Sequence, residues 1–284
     1  MTKKYIIITP VRNEEKFIEL TLKSLEKQIA PPEEWIVVDD GSSDGTDEIV
    51  KLYQKRIKYL RYIKKPDRGF DAVGAGVVEA FNYGLENIES KDYYYIVKLD
   101  ADIYLKPDYF SMLIERFKSE KRLGIISGEN YLKKKNRLVR EEHADFHPVG
   151  GARMYCRNCF EAIGGLIQSP GWDTLDIIKA RLAGWETKNY RDLVVVHLRD
   201  MSTRQGYAEG IKRLGRTSYL LGYNPLYFFL RCIYRAKDRP YLLRSYYLVL
   251  GYLNAMFKNE VMIVSENERK YIRRLQLKRL GLLL

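Results

Sequence analysis

Trp35-Ile36-Val37-Val38-Asp39-Asp40-Gly41-Ser42-Ser43-Asp44-Gly45-Thr46 decides the fold: an apolar run ends in two carboxylates and a glycine-containing turn. Four apolar residues without polar alternation read as a strand buried on both faces, as in parallel sheets flanked by helices. The same pattern recurs upstream. Tyr5-Ile6-Ile7-Ile8-Thr9 reads as a buried strand stopped by Pro10, and helical spacing follows from Glu14 to Gln28 until Pro31-Pro32. Downstream, Asp47 to Lys55 reads as a helix capped by Thr46 or Asp44. Ile57 to Ile63 reads as a strand, Gly69 to Asn87 as a helix, and Tyr93 to Leu99 as a strand that runs into Asp100-Ala101-Asp102. Strand alternating with helix through short loops predicts an α/β fold with a mostly parallel twisted sheet between helices. Such sheets bind ligands at the carboxyl ends of their strands. The polar clusters at 9–15, 39–46 and 100–102 all fall at such ends, which predicts one shared site.

Further along, Pro107 to Lys118 and Asp173 to Ala183 read as helices. Gly124 to Gly128, Phe146 to Tyr155 and Leu193 to Leu198 read as strands, and Asn130 to Arg140 as a loop or exposed hairpin. From about Ser202 the pattern is helical and aromatic. The expected division is a catalytic domain over 1–204 and a helical, basic-aromatic region over 205–284.

The composition is globular: 284 residues, 46% hydrophobic and 30% charged, with 23 tyrosines. A net charge of +12 suits nucleic acid, anionic membrane or phosphorylated small molecules and does not choose between them. No RNA-binding signature or zinc-finger spacing accompanies it, so nucleic acid is not an expected partner. Cys156 and Cys159 have CxxC spacing, but no second pair completes a zinc site. With Cys232 they read as buried thiols in a reducing compartment. Met1-Thr2-Lys3-Lys4 runs straight into a strand without a signal peptide. No uncharged apolar run reaches the ~18 residues of a membrane span. The nearest candidate, Tyr241 to Phe257, is interrupted by Arg244. The expected location is cytoplasmic, with the cytoplasmic face of a membrane as an alternative.

Asp39 or Asp40, at a strand end before a glycine, can accept from a base N–H or a ribose hydroxyl. Gly41 and Gly45 let the backbone approach a ligand closely. If Asp100-Ala101-Asp102 is extended, its two carboxylates point to the same side. Hard oxygen donors at that spacing can hold Mg²⁺ or Mn²⁺ against a diphosphate. A strand-ending Asp-Gly turn is the plain alternative for the first cluster, and a polar strand terminus for the second.

These residues resemble the inverting family 2 glycosyltransferases, which have the GT-A nucleotide-binding fold. The resemblance rests on Thr9-Pro10-Val11-Arg12-Asn13-Glu14-Glu15, on Val37 to Thr46, and on Lys98-Leu99-Asp100-Ala101-Asp102. It covers residues 5 to about 200. It implies that Pro10, Arg12 and Glu14 line the nucleotide pocket, that Asp39 contacts the base and that Asp40 supports the same loop. It also implies that Asp102 is the metal ligand, with Asp100 and Ala101 beside the donor. Arg68-Gly69 resembles a basic loop near the donor, and Asn82 an Asn on the helix that follows.

The family uses a carboxylate to deprotonate the acceptor hydroxyl, commonly in a Glu-Asp pair that opens a helix after Gly-Gly. Here Gly164-Gly165 precedes Gly171-Trp172-Asp173-Thr174-Leu175-Asp176, and no Glu-Asp pair exists. Spacing to Gly184 favours Asp173 and spacing from Gly165 favours Asp176; Asp173 is preferred. Either carboxylate could instead be a helix cap. His197 closes an apolar run and is a candidate third ligand to metal or diphosphate, or a satisfied strand-end histidine. His143 and His147 are candidate acceptor contacts. The Gln-x-x-Arg-Trp motif of processive enzymes is absent from the sequence.

The resemblance implies a nucleotide-sugar donor (UDP, GDP or dTDP linked), an acceptor glycan or lipid-linked acceptor, and a divalent cation. In the last third, arginines such as Arg231, Arg235 and Arg244 alternate with Tyr227, Phe228, Phe229 and Tyr234. That mixture suits a membrane interface, or a surface that packs on the α/β domain or on a second subunit. Nucleotidyl transfer is the competing enzyme class, but its phosphate loop needs glycine and Pro10 to Glu15 has none.

Overall fold

Along Tyr5-Ile6-Ile7-Ile8 the side chains alternate between two separate cores. Tyr5 and Ile7 join Val37, Val97, Leu22, Val50 and Phe110, whereas Ile6 and Ile8 join Ile36, Val38, Ile96, Phe81 and Ile177. A strand with helices on both sides buries every residue, which is why its sequence lacks polar alternation. The computed structural model describes residues 4–67, 69, 74–134, 137–141, 143–199, 206–236 and 241–282. The chain divides into two compact units, Met1–Asp200 and Met201–Leu284.

The first unit holds strands β1 (Tyr5–Val11), β2 (Glu34–Asp39), β3 (Leu60–Lys64), β4 (Tyr95–Leu99), β5 (Ile103–Leu105), β6 (Leu123–Lys134), β7 (Arg137–Arg140), β8 (Ala152–Cys156) and β9 (Glu186–His197). They form one sheet in the order β3-β2-β1-β4-β8-β6-β9-β5, with β7 on β6. The β3-β2-β1-β4 half is parallel. Beyond it, β8 is antiparallel to β4 and β6, β6 runs parallel to β9, and β5 is antiparallel to β9. Helices α1 (Ile18–Glu26), α2 (Thr46–Gln54) and α4 (Tyr109–Ser119) cover one face. Helices α3 (Ala75–Glu86), α5 (Arg157–Ala162) and α6 (Trp172–Leu182) cover the other. Helix α3 lies directly on the sheet at Gly84, where a Cβ would sit 2.7 Å from Ile8 Cγ2 and 2.8 Å from Val38 Cγ2.

Several expected boundaries move. Pro10 does not stop β1, which continues to Val11 in register with β2. The ladder to β4 ends at Ile8, so the missing proline N–H falls where that side has no partner. Phe146 to Gly151 is not strand; β8 begins at Ala152. Within the Asn130–Arg140 stretch the end of β6 pairs with β7 as a hairpin; β7 is exposed, whereas Asn130 and Leu132 on β6 are buried. Asp100-Ala101-Asp102 is not extended: it is the turn from β4 into β5, a strand too short to stand out in the sequence.

The second unit is helical: α7 (Tyr207–Leu220), α8 (Pro225–Arg235), α9 (Leu243–Phe257) and α10 (Glu266–Arg279). Helices α7 and α9 meet backbone to backbone at two glycines. A Cβ on Gly215 would lie 2.0 Å from the Leu248 carbonyl oxygen, and one on Gly251 1.9 Å from that of Lys212. Ile211, Phe228, Cys232, Leu248 and Tyr252 form the core, with the Phe228 and Tyr252 rings stacked at 4.2 Å. Asn224 caps α8 through Tyr227 N, and Ser265 with Glu268 forms a capping box on α10. Among the described residues no helix is long and apolar enough to cross a membrane.

Candidate functional site

Parallel strands β1, β2 and β4 end at one edge, and two loops are knitted together there. Asn13 donates its N–H to Ser42 Oγ at 3.0 Å and accepts from Ser43 N at 2.8 Å. Glu14 N donates to Thr46 Oγ1 at 2.8 Å, and Gly45 N donates to Glu15 Oε2 at 2.9 Å. The loop after β1 is thus held against the loop after β2. Gly41 has φ of 84°, and a Cβ there would lie 2.4 Å from Asp67 Oδ1, so only glycine fits.

Asp39 is fully buried: Oδ1 accepts from Ser42 N at 2.7 Å and Oδ2 from the Tyr62 hydroxyl at 2.5 Å. Asp40 is buried beside Lys65 Nζ at 3.4 Å. Arg12 donates to the Asp40 carbonyl and, at 2.9 Å, to Asp67 Oδ1. Pro10, Arg12, Asp39 and Asp40 therefore share one end of the sheet. Arg68 lies outside the described residues. Asn82 donates to the Leu166 carbonyl at 3.4 Å, tying α3 to the segment before α6.

The second cluster forms where β4, β5 and β9 meet. Antiparallel pairing sets Ile103 opposite His197, so the end of β9 arrives beside the Asp100–Asp102 turn. His197 Nε2 lies 3.9 Å from Asp100 Oδ2 and 3.8 Å from Asp102 Oδ1, and it is buried without a hydrogen-bond partner among the described residues. One ligand atom from each of the three residues lies within 4.8 Å of the others. Two hard oxygens and one imidazole nitrogen at that spacing fit a divalent cation. The orphaned Nε2, aimed between two carboxylates, is what such an ion would satisfy. Burial lowers the basicity of His197, but Asp100 and Asp102 outweigh it and raise its pKa above the ordinary value. Burial likewise opposes ionisation of Asp100, yet Lys98 and His197 hold its pKa at about 2. Ala101 is buried in the core; its carbonyl accepts from Thr21 Oγ1 at 2.6 Å, which anchors the turn to α1.

Five features here carried no role in the sequence reading. Arg199 bridges the two clusters, binding Glu14 through NH2 and Asp102 Oδ2 through Nε at 3.2 Å. Lys98 pairs with Asp100 and donates to the Gly150 carbonyl at 3.1 Å. Asn130 Nδ2 meets His197 Nδ1 at 3.2 Å and donates to Glu141 Oε2 at 3.1 Å. Gly150-Gly151 is the wall behind the carboxylates: Asp100 N donates to the Gly151 carbonyl at 2.7 Å. A Cβ on Gly151 would lie 3.2 Å from His197 Nε2, and one on Gly150 would lie 3.8 Å from Asp173 Cβ. Arg153 is the fifth. A signal existed for two of them: Lys98 and Arg153 are charged residues inside strand runs that are otherwise buried, and such charges need partners.

Asp173 and Asp176 are separated by their surroundings. Asp176 is buried, takes Arg153 NH1 at 2.8 and 2.6 Å, and accepts from the Tyr155 hydroxyl at 2.5 Å. Burial raises its pKa against the opposing pull of Arg153. Asp173 stands half-buried in the first turn of α6. Among the described residues nothing hydrogen-bonds its carboxylate. The Lys98 ammonium lies 5.1 Å from the ring of Trp172, next to Asp173, and also pairs with Asp100. His143 and His147 stack at 6.3 Å in the loop before β8. Burial, with Arg153 adding, pulls His147 down to about 4. Cys156 and Cys159 are free thiols where β8 passes into α5, and burial raises Cys159.

One edge of the sheet thus gathers two carboxylate turns, a basic bridge and a cluster whose spacing suits a cation. The model of glycosyl transferase family 2 matches residues 6–163, and the chain belongs to that family. A poly-beta-1,6-N-acetyl-D-glucosamine synthase of Staphylococcus epidermidis is 30% identical over 127 residues, 45% of this chain and 28% of the synthase. Glycosyltransferase GlyA of Streptococcus pneumoniae is 30% identical over 113 residues, 40% of this chain and 15% of GlyA. The chain thus matches only a minor part of these relatives. The mannosyltransferase PcManGT of Pyrobaculum calidifontis, solved with GDP-Man and Mn²⁺, superposes with a TM-score of 0.60 at 16% identity, over 99% of this chain and 86% of that one. S. aureus TarS 1–349 with UDP-GlcNAc gives 0.55 at 16%, over 95% and 78%. The shared fold is the GT-A α/β sheet with a helical C-terminal region.

Proposed function

We propose that this glycosyltransferase moves a single sugar from a nucleotide-sugar donor to an acceptor hydroxyl, with inversion at C1, in the synthesis of a lipid-linked or surface glycan. Residues 1–204 form the catalytic domain, and 205–284 the part that meets a membrane or a second subunit. The observation that carries the reading is the Asp100–Asp102–His197 cluster at the carboxyl edge of the sheet. It lies one arginine away from the loop that holds Arg12 and Glu14.

In this reading Asp39 and Asp40 define the nucleoside end of the donor pocket, with Pro10, Arg12 and Glu14 along its wall. Asp102 and His197 hold Mn²⁺ or Mg²⁺, with Asp100 as an auxiliary beside the sugar. A divalent cation bound there would neutralise charge on the departing nucleoside diphosphate. Lys98 keeps Asp100 ionised. Arg199 is the cation that Asp102 and Glu14 already share, and it can turn to the diphosphate when the donor enters. Asp173 takes the acceptor proton, supported by its partial exposure, its uncommitted carboxylate and its place across Gly150 from Lys98. Asp176 is its anchored neighbour, since a carboxylate engaged by Arg153 and Tyr155 is a poor base. PcManGT binds GDP-Man with Mn²⁺ and TarS binds UDP-GlcNAc, which is in keeping with a donor of the UDP or GDP class; dTDP-linked sugars belong to the same test.

Asp102→Ala is the decisive variant. It is expected to keep the far-UV spectrum, to lose Mn²⁺ binding by titration, and to lose sugar transfer by at least about a thousandfold. Wild-type transfer by the variant would overturn the assignment.

A further inference from the structure

We infer that the α7–α9 face of the second unit docks on an anionic lipid surface. Helix α9 exposes Leu243, Tyr246, Leu250 and Phe257, and with the half-buried Leu253 they follow three-four spacing, so they form one stripe along its length. Phe257 is 76% exposed and Tyr246 57%. The opposite side of the same helix is spent on the core through Leu248, Tyr252 and Ala255. Beside the stripe, α7 presents Lys212, Arg213 and Arg216. A groove of about 570 Å³ lies between the two rows, walled by these three cations on one side and by Leu250, Leu253 and Phe257 on the other. Lys212 pairs with Glu209 at 2.7 Å and Arg216 with Glu260 at 2.6 Å. Exposed pairs of this kind hold little energy, so a phosphate can compete for the cations.

The charge distribution selects the occupant. Of the chain's 49 Lys and Arg, 16 fall in 201–284, against 5 of its 37 Asp and Glu; this unit carries +11 of the net +12. A second copy seated on the same stripe would bring two such basic units together. A neutral apolar partner would cover the stripe but would bring no charge complementary to a unit of +11. An anionic bilayer satisfies both rows at once, with headgroup phosphates against Lys212, Arg213 and Arg216 and the α9 stripe at the acyl boundary. Tyr246 and Phe257 are suited to that depth. No described helix can span a membrane, so the unit lies on the surface. This deepens the reading of the second unit as the membrane-facing part of the enzyme. It is independent of the transfer chemistry, because vesicle binding needs neither donor nor acceptor.

The test is co-sedimentation of the full chain with phosphatidylcholine vesicles, with and without phosphatidylglycerol, alongside light scattering of the protein alone and a donor-hydrolysis assay. The wild type is expected to bind the anionic vesicles, to release them at high salt, and to bind pure phosphatidylcholine at least tenfold more weakly. Leu250→Ser/Phe257→Ser and Lys212→Gln/Arg213→Gln/Arg216→Gln are each expected to weaken binding at least tenfold. Both should keep the circular dichroism and donor hydrolysis of the wild type, since the side chains face outward. Equal binding to both vesicles, or no binding, overturns the inference while hydrolysis leaves the catalytic reading standing. A dimer in light scattering that Phe257→Ser dissociates, without vesicle binding, assigns the stripe to a second copy and also overturns it.

Discussion

Asp173 and Asp176 stand three positions apart in one helix in different surroundings, and the proposed function gives them different work. Asp173→Asn is expected to lower kcat by a factor of about 10² to 10⁴ with the melting temperature unchanged. Asp176→Asn takes from the fully buried Arg153 guanidinium its ion-pair partner. Breaking such a pair costs about 3–5 kcal/mol, so this variant should lose stability in denaturant before its kcat is informative. The opposite pattern, with stability lost at 173 and kcat at 176, would exchange the two roles. His147 provides a titration at the same scale. Its pKa is lowered to about 4 in the fold, from an ordinary value near 6.5. Between those values the unfolded chain binds the proton more readily than the folded one, so stability rises with pH across this window. The melting temperature should climb from pH 4 to 6.5, and His147→Gln should flatten part of that climb. An unchanged slope in the variant would remove His147 as the cause.

At the scale of elements, the site depends on how closely α3 and β8 approach their neighbours. Gly84 places α3 on β1 and β2, the two strands whose ends carry the proposed donor loops. Gly84→Ala puts a methyl group into Ile8 and Val38, and overpacking of this kind costs about 1–3 kcal/mol. The expected result is a lower denaturation midpoint with Mn²⁺ affinity nearly unchanged, because the candidate cation cluster lies at the β4–β5 turn and the end of β9. A variant as stable as the wild type would mean that α3 is free to shift. The motifs at 9–15, 37–46 and 98–102 were legible because each follows a β-branched run, and that pattern locates a strand end from sequence alone. β5 and Gly150-Gly151 were not legible. A three-residue strand has too little pattern to detect, and the glycine pair matters only because His197 and Asp173 arrive from segments far along the chain.

At the scale of the whole molecule, donor and cation should stabilise the fold by mass action. A ligand at about a hundred times its Kd adds roughly 2.7 kcal/mol to the unfolding free energy. A thermal-shift screen of UDP, GDP and dTDP sugars, each with and without Mn²⁺, should show one nucleotide raising the melting temperature in the presence of metal only. Equal stabilisation without metal would argue that Arg12 and Arg199 carry the diphosphate alone.

The amino-acid sequence by itself determined the α/β class, the order of the first four strands, the carboxylate turns at their ends and the family resemblance. These are written in local periodicity and short-range spacing. Only the tertiary structure decided what the turns face. It brought His197 within 4 Å of Asp100 and Asp102 across nearly a hundred positions of chain. It bridged Glu14 to Asp102 through Arg199, and it committed Asp176 to Arg153 while leaving Asp173 uncommitted. The reason is physical: a carboxylate's role depends on which cations and how much water surround it, and those neighbours come from segments that only the folded sheet brings together.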